Sequence, residues 1–105
     1  MKKGIALTLV LSAVCLWMPA ANRAEAATGE DLFKQHCSVC HPNGGNIINP
    51  QKSLHRADRE ANKANTVEVI VAKMRNPGQG MSKFDSNFLP DSDAKAIAGY
   101  ILKTF

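Results

Sequence analysis

Cys37-Ser38-Val39-Cys40-His41 decides how the rest of the chain is read. Two cysteines three positions apart, followed at once by histidine, form the pattern of c-type haem attachment. Cysteines at i and i+3 stand about one helical turn apart. Each thiol can then add to one vinyl group on the same porphyrin edge. The next residue is placed to bring its imidazole under the iron, so His41 is the expected first axial ligand. Its other ring nitrogen is expected to donate to a carbonyl that fixes the ring. One covalent haem c, held through Cys37 and Cys40, is the expected cofactor.

Two other chemistries use the same pair of cysteines. A redox dithiol needs a βαβ setting, and no segment reads convincingly as a strand. A closed structural zinc site needs four ligands. Beyond the motif, the only histidines are His36 and His55, and no second paired motif follows.

Working outward toward the start, Lys2 and Lys3 precede an apolar run from Ile5 to Trp17, and Ala24-Glu25-Ala26 is a small-x-small cleavage site. This is the pattern of a secretory signal peptide over residues 1–26, with a domain over 27–105. The run is shorter than the about 20 residues a spanning helix needs. A retained anchor is the alternative. A lipid on Cys15 is another, poorly served by Val14 before it. The expected location is the periplasm, where covalent haem attachment is possible. The whole chain carries a formal net charge of +4. Lys2, Lys3, Arg23 and Glu25 supply +2 of it, which leaves 4 − 2 = +2. That balance gives no argument for nucleic-acid binding. Cys37 and Cys40 are then the only thiols, so unless these two pair no disulfide framework exists to stabilise so small a domain. A covalently held apolar cofactor would take its place.

Working outward in the other direction, the periodicity is helical and the fold class is all-α. A helix is expected over about 29–40, with Thr28 as its N-cap and Glu30 and Asp31 in the first turn. Pro42-Asn43-Gly44-Gly45-Asn46 reads as a loop. A second helix is expected over about 53–62, with a thin stripe of Leu54, Ala57 and Ala61. A third, over about 66–76, has Val67, Ile70, Val71 and Met74 at i, i+3, i+4 and i+7. Val67, Val69 and Val71 also alternate as in a strand, but the length and the closing Asn76-Pro77-Gly78 favour a helix. A fourth, over about 91–103, carries the stripe Ala94, Ile97, Ala98 and Ile101.

The iron's second face needs a ligand, and Met74, Met81 and His55 are the candidates. Met74 belongs to an apolar stripe, which gives it a packing role. His55 lies in a charged segment that reads as solvent-exposed. Met81 follows Asn76-Pro77-Gly78-Gln79-Gly80, where it has no stripe to join. The glycines there let the backbone approach a flat macrocycle. Met81 is therefore the expected second axial ligand, and His/Met ligation raises the reduction potential.

With these residues in place, the chain resembles the small class I cytochromes c. The closer likeness is to the algal and cyanobacterial cytochrome that replaces plastocyanin and to related monohaem cytochromes of metal-reducing bacteria. Gly29, Leu32 and Phe33 ahead of the motif are similar to that family's first helix. Gly44-Gly45-Asn46-Ile47-Ile48 with Lys52-Ser53-Leu54, Gly80-Met81-Ser82-Lys83-Phe84, and Ala98-Gly99-Tyr100-Ile101 match its later stretches. Ser82 stands where the family usually has proline, and Pro42 is not the commonest residue after the histidine. The resemblance implies about four helices around one haem. It implies that the first helix crosses the last at Gly29 and Phe33 against Ile97 and Tyr100. It also implies a haem wrapped by Phe33, Ile47, Leu54, Ile70, Val71, Met74, Phe84 and Ile97.

The function expected from this is a soluble one-electron carrier, since an iron with both axial positions filled has no place for a substrate. No catalytic residue set is recognisable, so an enzyme is not expected. Lys52, Arg56 and Arg75 are candidates to meet the haem propionates, with solvated surface charge as the plainer role of each. The expected partners are redox proteins that dock transiently, with the chain a monomer that meets the membrane only through such a partner. The rival function is a haem sensor or peroxidase-like module in which Met81 leaves the iron.

Overall fold

The computed structural model describes residues 27–105. The signal-peptide and Cys15 readings concern residues outside that range. The described chain is helical and contains no strand: α1 (Gly29–His36), α2 (Arg56–Ala61), α3 (Val67–Arg75) and α4 (Asp91–Thr104). Two 3-10 turns, Pro42–Gly44 and Pro50–Lys52, lie between α1 and α2. Among these residues no helix is long and apolar enough to cross a membrane.

α4 is the centre of the frame, and both α1 and α3 pack on it. Its stripe Ala94, Ile97, Ala98 and Ile101 is fully buried. From α1, Leu32 and Phe33 join the same core, and from α3, Ile70 and Met74 do so. Met74 thus takes the packing role its periodicity indicates. α1 meets α4 where Gly29 has no side chain. A Cβ built there would run into the Ala96 carbonyl oxygen and sit 3.1 Å from the Tyr100 Cβ. Phe33 then lies 5.4 Å from the Tyr100 ring and 5.4 Å from the Phe105 ring, centroid to centroid. Tilted aromatic contacts of this kind add to area burial. The expected helix crossing is present, with Ala96 and Tyr100 as the contact points on α4.

Two helices are shorter than the sequence suggests. α1 stops at His36 instead of running to Cys40. The Ser38 N–H reaches back to the Phe33 carbonyl at 3.0 Å and its hydroxyl donates to the Lys34 carbonyl at 2.6 Å. These bonds occupy carbonyls that a continuing helix would use. Cys37 to Cys40 form a separate turn, in which Cys37 O accepts from Cys40 N at 3.2 Å and from His41 N at 2.9 Å. The second helix begins at Arg56, not Ser53. The Ser53 hydroxyl accepts from His55 N and donates to the Asp58 carboxylate, which holds residues 53–55 extended. Its buried residue is Arg59, while Ala57 and Ala61 of the expected stripe are exposed.

Arg75 ties the far end of the frame together. Nη1 donates to the Phe84 carbonyl at 3.0 Å and the Leu89 carbonyl at 2.7 Å, and Nη2 meets Asp91 at 2.7 Å. One guanidinium therefore joins the end of α3, the following loop and the start of α4. That occupation removes Arg75 from the propionate candidates.

Candidate haem site

The turn after α1 and the loops on either side of α3 enclose a cleft of about 400 Å³. That lies within the usual range of cofactor sites, about 300–1,000 Å³. Cys37, Cys40, His41 and Met81 all line it. Residues about 40 positions apart in sequence thus meet at one cavity, as the reading of the motif and of the methionine loop requires (81 − 41).

The loop around His41 is densely bonded. Gly44 N donates to His41 O at 3.1 Å, Gly45 N to Pro42 O at 2.9 Å, and Ile47 N to Cys40 O at 3.0 Å. These bonds need a left-handed pair, and Asn43 and Gly44 supply it at φ 53° and 79°. Asparagine and glycine are the residues that enter this region at least cost. The Phe105 ring packs on the bare Cα of Gly44, and a Cβ there would come within 2.5 Å of it. The result presents the Gly45 carbonyl to His41 Nδ1 at 2.7 Å. A carbonyl only accepts, so Nδ1 is the donor in this bond and Nε2 is the nitrogen left to face the iron. A buried imidazole oriented by such a bond is what iron ligation uses.

Cys37 and Cys40 are half-buried and not bonded to each other. Burial pushes the Cys37 thiol up to about 11. Redox-active cysteines have lowered values and exposed, electropositive surroundings. Cys37 has the opposite environment, which suits a thioether and not an exchanging dithiol. The described residues hold no group of three or more His, Cys, Asp or Glu side chains placed to bind a metal ion.

Of the residues expected to wrap the haem, Leu54, Ile70, Met74 and Phe84 line the cleft. Phe33 and Ile97 are buried in the helical core instead, and Val71 packs against that core without reaching the cavity. Ile47 and its neighbour Ile48 are both largely exposed, at 62% and 57%, and of the two it is Ile48 that lines the cleft. The Asn46 side chain accepts from the backbone of Ile48 and Asn49, and this turn places Ile48 at the cleft. His55 is exposed, 6.0 Å from the Phe105 ring, and does not line the cavity. Arg56 is an exposed partner of Glu60 at 2.9 Å, whereas Lys52 does line the cleft.

Sequence reasoning missed Arg59. It is 4% exposed and lines the cleft. No periodicity marks it, because it sits in a short, highly charged helix. The one local signal is Asn65 six residues on, whose side-chain oxygen it binds.

The fold and the cleft agree with what the chain is similar to. A family model described as cytochrome c oxidase, cbb3-type, subunit III matches residues 24–101. A cytochrome c6 of Cyanidioschyzon merolae is 38% identical over 97 residues, covering 91% of this chain and 89% of its own length. A cytochrome c6 of Synechocystis is 42% identical over 82 residues, covering 78% and 68%. The solved structure of OmcF, an outer-membrane cytochrome of Geobacter sulfurreducens, superposes with a TM-score of 0.71 at 47% identity, covering 73% of this chain and 98% of that one. The chain belongs to the small monohaem class I cytochromes c and carries one covalently attached c-type haem.

Proposed function

We propose that this protein is an exported one-electron carrier whose haem is bound through Cys37 and Cys40, with His41 and Met81 as axial ligands. The observation that carries the reading is the meeting of Met81 with the Cys37–His41 turn in one cleft, with His41 Nδ1 already engaged by Gly45 O at 2.7 Å. The haem supplies the one-electron couple. The chain supplies a fixed imidazole, a thioether, apolar walls and a frame that need not move. Filling both axial sites leaves no place for a substrate, so the protein is read as a carrier and not an enzyme. Residues 1–26 serve as the export signal, and the domain works as a monomer in the periplasm, docking briefly on redox proteins.

Replacing Met81 with alanine is the test. The ferric protein should lose its near-infrared thioether-to-iron absorption band, and the reduction potential should fall. Survival of that band in Met81→Ala would overturn the assignment.

A second reading has Met81 leaving the iron so that an external ligand binds. It is favoured by the methionine loop, where residues 77–83 make none of the backbone hydrogen bonds that lace the His41 loop. Carbon monoxide separates the two. Rapid, stoichiometric binding to the reduced wild-type protein at neutral pH would support the sensor reading. Slow, partial binding fits the carrier.

A further inference from the structure

The segment that carries Met81 has few ties of its own. Among the described residues, 77–83 make no backbone hydrogen bond. One apolar contact reaches this segment from another loop of the cleft. Gly80 stands at φ 88°, in the region that favours glycine. A Cβ built on it would lie 3.0 Å from Ile48 Cγ2, and the next nearest atoms, at 3.8 and 4.0 Å, are Ile48 Cδ1 and Cβ. The isoleucine side chain therefore packs on the bare Cα of Gly80. At Gly78, two residues earlier, the same Cβ would meet nothing within 4 Å. Ile48 lines the cleft, as does every residue from Pro77 to Ser82.

Ile48 is held where the methionine segment is not. Ile48 N donates to Asn46 Oδ1 at 3.0 Å and Asn49 N to the same oxygen at 2.9 Å, while Asn46 Nδ2 donates to the Lys52 carbonyl at 3.0 Å. Ile47 N donates to the Cys40 carbonyl at 3.0 Å, which fastens this loop to the turn that carries His41.

We propose that Ile48 is a positioning residue for Met81: it rests on Gly80, one residue before the ligand, and latches the methionine segment in its closed place. The inference rests on Met81 ligation, as proposed above. For Met81 to leave the iron, its segment lifts from a loop that is bonded in place, and the Ile48–Gly80 contact is what breaks. The dispersion contacts of one side chain are individually small, and Ile48 is 57% exposed and outside the helical core. The latch therefore governs how often the ligand is released and contributes little to the stability of the frame.

The experiment uses the haem-loaded protein and imidazole as the external ligand. Imidazole binds the ferric iron only after Met81 leaves, so the rate reached at high imidazole reports the opening of the segment. Ile48→Ala should raise that limiting rate by about fivefold. Ile48→Val keeps Cγ2 and should recover most of the difference. An isoleucine serving only the fold would alter thermal stability and leave the limiting rate alone, so an unchanged rate in Ile48→Ala overturns the proposal. In the reduced, diamagnetic wild type, nuclear Overhauser contacts should join the Ile48 methyl protons to the Gly80 α protons, and their absence overturns it as well. The near-infrared thioether band of the ferric wild type separates the two readings. Without that band, Met81 ligation itself fails and the latch falls with it. With the band present and the limiting rate unchanged, the latch alone fails.

Discussion

The two loops that face each other across the cleft are built differently. The His41 loop is laced by backbone bonds among Cys37, Cys40, His41, Pro42, Gly44 and Ile47, and Leu54 N closes it on Gly44 O at 2.6 Å. The Met81 loop is fastened at its ends. Asn76 N binds Ala72 O at 2.9 Å, Phe84 N binds Met74 O at 2.9 Å, and Arg75 holds the Phe84 carbonyl. Between these anchors, residues 77–83 carry no such network. Under the ligation proposed above, the first loop is a rigid seat for one ligand, and the second is a tethered strap for the other. Local stability follows the density of such bonds, so the methionine side should open first.

Glycine substitutions break this comparison most directly. Gly44→Ala places a side chain at positive φ and against the Phe105 ring. It should destabilise the protein by about 3 kcal/mol, read as a fall in Tm of more than about 12 °C. A change under about 1 kcal/mol would mean that the His41 loop is not the rigid partner. Next comes Arg75→Ala, which releases two carbonyls and the Asp91 pair at once. Hydrogen bonds to a charged group are worth about 1.5–3 kcal/mol, but the Asp91 end is exposed, so a total of about 2 kcal/mol is expected. The thioether band of that variant should fade at a lower temperature than global unfolding, because the strap has lost an anchor while His41 has not. Simultaneous loss would show the two loops to be one unit. The smallest effect belongs to Gly78→Ala in the strap, where a Cβ meets nothing within 4 Å. It should lie within about 0.5 kcal/mol of wild type, with a stabilising sign.

The same contrast explains what could be read from residues alone. α3 and α4 were legible because a buried face repeats along a helix, and Ile70, Met74 and the α4 stripe all obey that repeat. That Cys37, Cys40 and His41 share one cleft with Met81 was legible, because attachment chemistry demands the spacing of the first three and a lone apolar residue among turn formers has no stripe to join. The end of α1 and the start of α2 were not. Both are set by single serine hydroxyls, Ser38 on Lys34 O and Ser53 on Asp58, and hydroxyls of this kind look like ordinary surface residues in a sequence. Arg59 and Ile48 were hidden for a related reason. Which side chain reaches the cleft follows from bonds to the side chains of Asn65 and Asn46, and no period records that. The expected stripe of Ala57 and Ala61 failed because a helix as short as Arg56–Ala61 is placed by such polar contacts and not by an apolar face.

The bare Cα of Gly29 against Ala96 has a consequence for how the molecule forms. It joins positions 96 − 29 = 67 residues apart, and bringing the ends of such a span together costs on the order of 4 kcal/mol of chain entropy. Almost everything that lines the cleft lies inside that span. α1 and α4 therefore act as a clasp, and the cavity takes shape only as the clasp shuts. Long-range closure of this sort slows folding relative to a bundle of sequential helices. Until closure, Cys37 and Cys40, both inside the span, stand without the finished walls of the cleft around them.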